Sequence, residues 1–174
     1  MKLAILGSAV DIISEENQNL CKEIGEYLAQ KQITVVTGGS HGIPGLVVKS
    51  AFGAGAETEA YSPDEDEEHH QLRADNISLK YFKTTKFIPG FTARSLEMIK
   101  NVDGVLVING RIGTLSEFTI ALEECLNIAV IKNTSGIADH LEYIISVAKK
   151  EFSNKIIFDT DYKVAINKLI DLIS

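Results

Sequence analysis

Two glycine-rich segments combine small residues with hydroxyl side chains, a combination that suits phosphate binding. They are Gly38-Gly39-Ser40-His41-Gly42 and Gly110-Arg111-Ile112-Gly113-Thr114. Glycine lets the backbone approach a ligand closely, and the unpaired N–H groups at the start of a helix attract an anion. Each segment leads into a stretch with helical periodicity, so both are candidate phosphate-binding loops.

Glycines in such loops also arise from the need for tight turns between strands and helices, so glycine content alone leaves that alternative open. The sequence lacks two common nucleotide-binding motifs. GxGxxG does not follow the first apolar run, and no glycine-rich loop ends in the Lys-Ser/Thr pair of a P-loop. NAD-type cofactors and P-loop ATP hydrolysis are therefore disfavoured.

The elements that must position these loops alternate between strand and helix. Short apolar or β-branched runs predict strands at 2–7, 33–36, 57–61, 102–108, 128–131 and 156–158, with a weaker one at 77–82. Helical patterns occupy 15–31, 43–54, 92–101, 114–126, 136–150 and 161–173. The alternation predicts a Rossmann-like α/β fold, an open parallel sheet with helices on both faces. No linker divides residues 1–174, so we expect a single domain.

Ligands bind beyond the carboxyl ends of the strands in an open parallel sheet. Three predicted loops lie there, namely Gly7-Ser8-Ala9, Thr37 to Gly45 and Asn109 to Thr114. The hydroxyl groups of Ser8, Ser40 and Thr114 would add donors to the glycine backbone. The sequence therefore predicts one anion pocket shared by at least two loops.

Two charged residues fall near this predicted pocket. Arg94 lies in the first turn of the helix at 92–101, where a cation opposes the helix dipole and a nearby anion would compensate it. A surface pair with Glu97 is the alternative for this arginine. Glu117 follows Thr114 by one turn and can face the same crevice, although a carboxylate is also favourable by itself near a helix N-terminus.

The composition is that of an ordinary globular protein, with 45% apolar and 24% charged residues. A formal charge of −7 argues against nucleic-acid binding, which needs a basic face, but not against a small phosphorylated ligand held by a few local groups. The sequence contains neither an apolar run of membrane-spanning length nor a signal-peptide core. We therefore expect a cytoplasmic protein without membrane contacts.

Two further features carry structural predictions. Cys21 and Cys125 lie among apolar neighbours and are expected to be buried, reduced thiols. The polar run from Pro63 to His70 is expected to form a solvated, mobile loop. Its carboxylates and adjacent histidines are suitable metal ligands by type, but the i, i+4 spacing is missing and we expect no metal site.

Three motifs occur in order along the chain. They are residues 38–45, Arg94-Ser95-Leu96-Glu97-Met98 and the segment from Asn109 to Glu117. They resemble the GGxxxGxMG-like, RxxxM and PGGxGTxxE motifs of the Lonely-Guy (LOG) family of Rossmann-fold nucleotide-binding proteins, some of which were long labelled "possible lysine decarboxylase". The resemblance runs from the first strand to about residue 131, and the spacing between arginine and glutamate also agrees.

The resemblance implies a nucleoside 5′-monophosphate site and hydrolysis of the N-glycosidic bond, which releases a free base and ribose 5-phosphate. Glu117 would be the catalytic carboxylate, which activates water or binds the ribose hydroxyls. Arg94 would orient the sugar and stabilise charge as the bond breaks. The loops Gly38–Gly42 and Gly110–Thr114 would hold the 5′-phosphate, and no cofactor would be required. Nothing in the chain resembles a pyridoxal phosphate site, so the decarboxylase label gains no support.

Three positions depart from the family's pattern. Asn109 replaces its proline, Arg111 its second glycine, and Thr37 stands where a further glycine is common. Arg111 would either crowd a backbone–phosphate contact or supply a charged ligand of its own. The same scaffold serves non-catalytic binders, including molybdenum cofactor carriers. A binding or carrier protein for a nucleotide or a molybdopterin-type ligand is therefore the alternative function.

Members of the family are usually dimers or larger, so the resemblance implies a homodimer or a higher homo-oligomer. The predicted helix at 114–126 carries a wide apolar stripe at 115, 118, 122, 125 and 126. Such a stripe agrees with a subunit interface, and packing in the core explains it equally well.

Overall fold

Parallel strands form one open, seven-stranded sheet in the computed structural model, which describes residues 1–9, 12–149 and 152–174. In chain order they are β1 Lys2–Leu6, β2 Thr34–Thr37, β3 Thr58–Ser62, β4 Thr84–Phe87, β5 Gly104–Ile108, β6 Asn127–Ile131 and β7 Ile156–Asp159. Their order across the sheet is β4-β3-β2-β1-β5-β6-β7. The chain leaves β1 in one direction and returns to β5 on its other side, so a ligand crevice is expected beside β1.

Helices cover both faces of the sheet. They are α1 Glu15–Gln30, α2 Gly42–Gly53, α3 Glu67–Leu72, α4 Phe91–Lys100, α5 Ile112–Glu123, α6 Leu141–Ala148 and α7 Tyr162–Ile173. Buried side chains of α1, α2 and α7 pack on one face, and those of α4, α5 and α6 pack on the other. This arrangement confirms the predicted Rossmann-like α/β fold. None of the helices in the described part of the chain has the length and apolar character needed to cross a bilayer.

The strand predicted at 77–82 is wrong. Residues Leu79–Tyr81 form a 3₁₀ turn, and the edge strand β4 follows it at Thr84–Phe87. The apolar Ile77 and Phe82 are the reason that the sequence predicts a strand here. Both are buried, but they anchor a loop to the core. The strand β4 lies at the edge and alternates between exposed and half-buried residues, which gives it little apolar signal.

Two predicted helices have different boundaries. The helix predicted at 114–126 begins at Ile112 and ends at Glu123, so Gly113 and Thr114 lie in its first turn. The helix predicted at 136–150 divides into a 3₁₀ helix at Gly136–His140 and α6. Residue 150 lies outside the described residues.

The polar run at 63–70 is only partly the predicted solvated loop, because residues 65–69 are exposed while its two ends are buried. Asp64 is buried, His70 is completely buried, and α3 begins at Glu67. Asp66 caps α3, since its Oδ1 accepts a hydrogen bond from the backbone N–H of His69 at 2.9 Å. Half of the segment is therefore helical, and its buried Asp64 supports residues in the wall of the site described below.

The two cysteines have different environments. Cys21 is buried, as predicted, and burial raises the pKa of its thiol to about 12. Cys125 is exposed, so the prediction for this residue is wrong. It follows the end of α5 with a φ of 58°, and a chain that turns there points its side chain away from the core.

The apolar stripe of α5 is largely accounted for by the core. Phe118 and Leu122 are buried in the cluster shared with α4 and β5, and Leu115 packs against that cluster. The stripe therefore supplies no separate evidence for a subunit interface, and self-association stays a prediction.

Gly42 holds the first two loops of the sheet's carboxyl edge together. Its φ is 69°, and a Cβ atom placed on it would collide with the carbonyl oxygen of Ser8. The same carbonyl accepts a hydrogen bond from the N–H of Ile43 at 2.9 Å. Gly42 is thus required for the close approach of two backbones as well as for a left-handed conformation.

We expect Gly42→Ala to lower the free energy of unfolding by about 3 kcal/mol, because it combines left-handed strain with a backbone clash. Gly55→Ala is a matched control, since Gly55 has a φ of 88° but open space around its Cβ position. The control should cost about 1 kcal/mol from strain alone. Urea unfolding of both variants measures the difference, and equal losses would contradict the proposed clash.

Candidate functional site

A cavity of about 310 Å³ opens at the carboxyl edge of the sheet, where a ligand site is expected in this fold. Nine residues predicted for the anion pocket or for catalysis line it: Gly7, Ser8, Gly38, Ser40, Arg94, Arg111, Gly113, Thr114 and Glu117. Ala9, Pro44 and Ile112 of the predicted loops also line the cavity, and four residues outside these loops complete much of the wall: Arg73, Asp75, Asn76 and Phe91. The loops predicted to share a pocket therefore do converge.

Arg94 and Glu117 form an ion pair at this cavity. Arg94 extends from α4 and Glu117 from α5, and Nη1 of the arginine donates to Oε1 of the glutamate at 2.7 Å. The Ser95 hydroxyl donates to the same oxygen at 3.0 Å. Only 10% of the Arg94 side chain and 14% of the Glu117 side chain are exposed. Glu97 instead accepts a hydrogen bond from Asn101, so the alternative pair Arg94–Glu97 is wrong.

Gly38 leaves the space that the guanidinium group of Arg94 occupies. A Cβ atom on Gly38 would lie 2.6 Å from Nη1 of Arg94 and 2.9 Å from its Cζ. Any side chain at this position would therefore push the guanidinium away from Glu117. The first glycine of the loop thus serves the ion pair rather than a turn.

Two buried polar atoms at the cavity lack partners. Ser8 Oγ and Arg94 Nε make no hydrogen bond within the described residues. Ser8 is 2% exposed and Arg94 8% exposed. Buried polar groups are normally paired, and an unpaired one costs about 1–3 kcal/mol. Because both residues line the cavity, a polar ligand bound there is the natural partner for these atoms.

The N-terminus of α5 opens onto the same cavity. The first N–H groups of a helix have no partner within the helix, and the dipole places partial positive charge there. Gly113 lies in this first turn and lines the cavity, and a Cβ atom on it would meet nothing within 4 Å. Close packing within the protein therefore does not require a glycine here, whereas a ligand lying against the backbone would. Arg111, at the N-cap position, adds a cationic side chain to the wall.

Three of the predicted glycines do not line the cavity. Gly39 packs against the buried ring of His70, and Gly42 packs against Ser8. Gly110 has a φ of 105° and packs against the side chain of Thr114. These glycines shape the loops, so for them the tight-turn explanation holds.

Asn109 gives the second loop a conformation that a proline cannot adopt. Its φ is 57°, whereas the proline ring fixes φ near −65°. Its backbone N–H donates to Thr134 Oγ1 at 2.7 Å, a bond that proline also lacks. Its side-chain amide donates to the Thr134 carbonyl at 2.8 Å. Where the family pattern has a proline, this loop therefore has a different conformation that is held by hydrogen bonds from Asn109 to Thr134.

The opposite wall is built on a buried polar network around Asp64. Asp64 accepts hydrogen bonds from Asn76 Nδ2 at 2.7 Å, from Ser62 Oγ at 3.0 Å and from Arg73 Nε at 3.0 Å. Arg73 Nη2 also lies 2.9 Å from the carboxylate. The buried ring of His70 lies 2.9 Å from Ser62 Oγ through Nδ1 and 3.0 Å from the Ile77 carbonyl through Nε2.

This network does not resemble a metal site. Within residues 1–9, 12–149 and 152–174, no group of three or more His, Cys, Asp or Glu side chains is arranged to hold an ion. Burial opposes ionisation of Asp64, but hydrogen bonds from Ser62 and Asn76 and the charge of Arg73 together lower its pKa. The carboxylate is therefore a fixed anchor for Arg73 and Asn76, which face the cavity.

Sequence reasoning missed the residues of this wall. Arg73, Asn76 and Phe91 belong to none of the three motifs. Arg73 and Asn76 reach the cavity because residues 73–77 pair with the first glycine loop, and Phe91 reaches it from the start of α4. The pairing consists of backbone bonds from His41 to Asp75 and from Ile77 to Gly39. The nearest signal in the sequence is the apolar Ile77 after a polar run, which by itself indicates a strand.

We expect Asp64→Asn to lower the free energy of unfolding at neutral pH by about 2 kcal/mol, because it weakens charge-assisted hydrogen bonds. The pKa of Asp64 is lowered in the folded state, so its carboxylate stabilises the fold above the unfolded pKa of about 3.9. That contribution is lost as the pH falls through the lower folded-state pKa. The difference between wild type and variant should therefore shrink below about pH 4.

Urea unfolding across this pH range checks the prediction. Asp75→Asn is the matched control, since Asp75 is exposed and its described hydrogen bond uses the backbone carbonyl. The control should change stability by less than about 0.5 kcal/mol. A loss in Asp64→Asn that stays constant with pH would contradict the role given to the ionised carboxylate.

Solved structures share this fold over nearly the full chain. The X-ray structure of TM1055 matches with a TM-score of 0.82 and 24% identity and covers 98% of each chain. The molybdenum cofactor carrier protein of Chlamydomonas reinhardtii matches with a TM-score of 0.79 and 18% identity, over 99% of this chain and 97% of that one. The molybdenum cofactor binding protein of Rippkaea orientalis matches with a TM-score of 0.78 and 17% identity, with the same coverage.

A family relationship is also evident in the sequence. Comparison with curated proteins gives no match. A family model described as the SLOG cluster4 family matches residues 1–166, which include all three motifs and every cavity-lining residue. The match confirms the LOG-like resemblance, and the chain belongs to the SLOG cluster4 family.

Proposed function

We propose that this protein binds a nucleoside 5′-monophosphate in the cavity and hydrolyses its N-glycosidic bond to a free base and ribose 5-phosphate. The observation that carries the proposal is the Arg94–Glu117 pair, which lies at the cavity beside the N-terminus of α5. A carboxylate near the anomeric carbon stabilises the oxocarbenium-like charge that develops as a glycosidic bond breaks. An anion-binding helix end within the same cavity suits the phosphate of that substrate.

Glu117 would act through its second carboxylate oxygen. Arg94 and Ser95 both donate to Oε1, and within the described residues Oε2 accepts no hydrogen bond. Oε2 is then available to the ribose hydroxyls or to the attacking water. Arg94 holds the carboxylate in place through Oε1 and offers its unpartnered Nε to the sugar.

The phosphate would lie against the start of α5. Gly113 leaves space for it beside the backbone, and Ser8 Oγ and Arg111 lie on the same cavity. The volume of about 310 Å³ is at the lower end of the usual range for small-molecule sites, roughly 300–1,000 Å³. A nucleoside monophosphate suits this volume better than a dinucleotide.

Incubation with AMP and related monophosphates, followed by an assay for ribose 5-phosphate, tests the proposal. We expect Glu117→Gln to lower kcat/KM by at least about 100-fold, because it removes a charge aimed at the transition state. Glu124→Gln is the matched control. Glu124 lies at the far end of α5, where its nearest cation, Lys100, is 4.0 Å away.

The control should retain activity within about twofold of the wild type, as expected for an exposed position away from the site. Absence of ribose 5-phosphate with every monophosphate would contradict the proposed hydrolysis. Full activity in Glu117→Gln would contradict the role of this carboxylate.

A carrier function is the second candidate, favoured by the fold shared with the two molybdenum cofactor proteins. Arg111 stands where the hydrolytic motif of LOG enzymes has a glycine, and a cation there would strengthen binding of a phosphorylated cargo. In this case the cavity would take up a nucleotide or a molybdopterin-type ligand and release it unchanged.

Native mass spectrometry of protein purified from cells that synthesise the molybdenum cofactor tests the carrier function. A carrier should retain a phosphorylated pterin, visible as an added mass and as fluorescence after oxidation. Arg111→Gly should lower the retained fraction about tenfold, since a charge-assisted contact is lost. Ligand-free protein that also fails to bind added molybdopterin would contradict the carrier function.

A further inference from the structure

We propose that Arg73 and Phe91 form a stacking shelf for the planar ring of the ligand, at the end of the cavity opposite α5. The inference rests on the proposed function and adds to it the subsite that selects for a base. Neither residue belongs to the motifs, and the mechanism above does not use them.

The shelf consists of an aromatic ring and a guanidinium in contact. Arg73 Cζ lies 5.1 Å from the centroid of the Phe91 ring, within the distance of a cation–π interaction. Both residues line the cavity, yet Phe91 is 60% exposed although it is large and apolar. An exposed aromatic side chain at the mouth of a polar cavity presents a surface that a flat ring can cover.

Asp64 makes the shelf rigid. It binds Arg73 through Nε and Nη2, and Asp64 is itself buried and held by Asn76 and Ser62. Phe91 is the first residue of α4, so its backbone is fixed by the helix. A preorganised surface loses little entropy when a ligand binds, which suits a subsite that discriminates between rings.

The start of α5, Arg94 and the shelf follow one another in the order that a nucleotide requires. Along the carboxyl edge, the start of α5 lies beyond β5, Arg94 abuts Gly38 after β2, and the shelf lies beyond β3 and β4. Strands are spaced about 4.8 Å apart, so β5 and β3 are separated by about 14 Å. Phosphate at α5, sugar at Arg94 and base at the shelf therefore follow one another as they do in a nucleotide.

Binding of formycin 5′-monophosphate and of ribose 5-phosphate tests the shelf. The first compound has a C-glycosidic bond that cannot be hydrolysed, and the second lacks the ring. We expect Phe91→Leu to weaken formycin 5′-monophosphate about tenfold, the effect of one lost stacking contact, and to leave ribose 5-phosphate within about twofold. Phe52→Leu is the matched control, because Phe52 is 44% exposed in α2 but does not line the cavity.

A spectroscopic measurement separates stacking from a general loss of structure. The ring proton of the bound analogue should shift upfield in the NMR spectrum of the wild type, as a proton above an aromatic ring does. Phe91→Leu should abolish that shift even at saturating ligand, and Phe52→Leu should preserve it. Arg73→Gln should weaken the formycin compound about tenfold and spare ribose 5-phosphate.

The outcomes distinguish the shelf from the function on which it rests. A wild type that binds neither compound would overturn the proposed nucleotide site and the shelf together. A wild type that binds both, with an unchanged preference in Phe91→Leu, would overturn the shelf alone. Equal weakening of both compounds by Arg73→Gln would also overturn it, because Arg73 would then bind the phosphate.

Discussion

The ion pair between Arg94 and Glu117 is the constraint on which the site depends. Two largely buried charges are costly unless each satisfies the other, so α4 and α5 must bring these side chains to within a hydrogen bond. The guanidinium also needs the space left by the missing side chain of Gly38. A glycine after β2, an arginine in α4 and a glutamate in α5 are thus one physical unit, although about 80 residues separate its ends.

Backbone contacts between neighbouring loops set the shape of the cavity around this pair. The Ser8 carbonyl is held by Ile43, and Thr134 binds Asn109 through its hydroxyl and its carbonyl. Because these bonds fix the left-handed conformation of Asn109, the loop before α5 does not require the proline of the family pattern. The change at this position therefore alters how the loop is stabilised, while Gly113 and Thr114 still lie in the first turn of a helix that faces the cavity.

The sequence predicts those parts of the site that repeat a local rule. Glycines at strand ends and a helix that follows them identify the loops, and motif spacing identifies Arg94 and Glu117. The wall around Asp64 follows no local rule, because Asp64 meets Arg73 and Asn76 only when residues 73–77 pair with the glycine loop. Charge density alone predicts a solvated loop at 63–70, since the burial of a carboxylate depends on partners that reach it only in the folded chain. The prediction for Cys125 fails for a similar reason. Its apolar neighbours suggest burial, but the left-handed turn at this residue directs its side chain to the surface.

The local field of the cavity differs from the charge of the whole chain. A formal charge of −7 would repel an anion at long range, but screening reduces that repulsion beyond about 10 Å. Glu117 in the cavity and Asp64 behind its wall are each held by an arginine, so these two carboxylates contribute little net negative charge, whereas the exposed Asp75 also lines the cavity. The helix end of α5 adds partial positive charge beside Gly113. An acidic protein can therefore hold a phosphate next to carboxylates that arginines already pair.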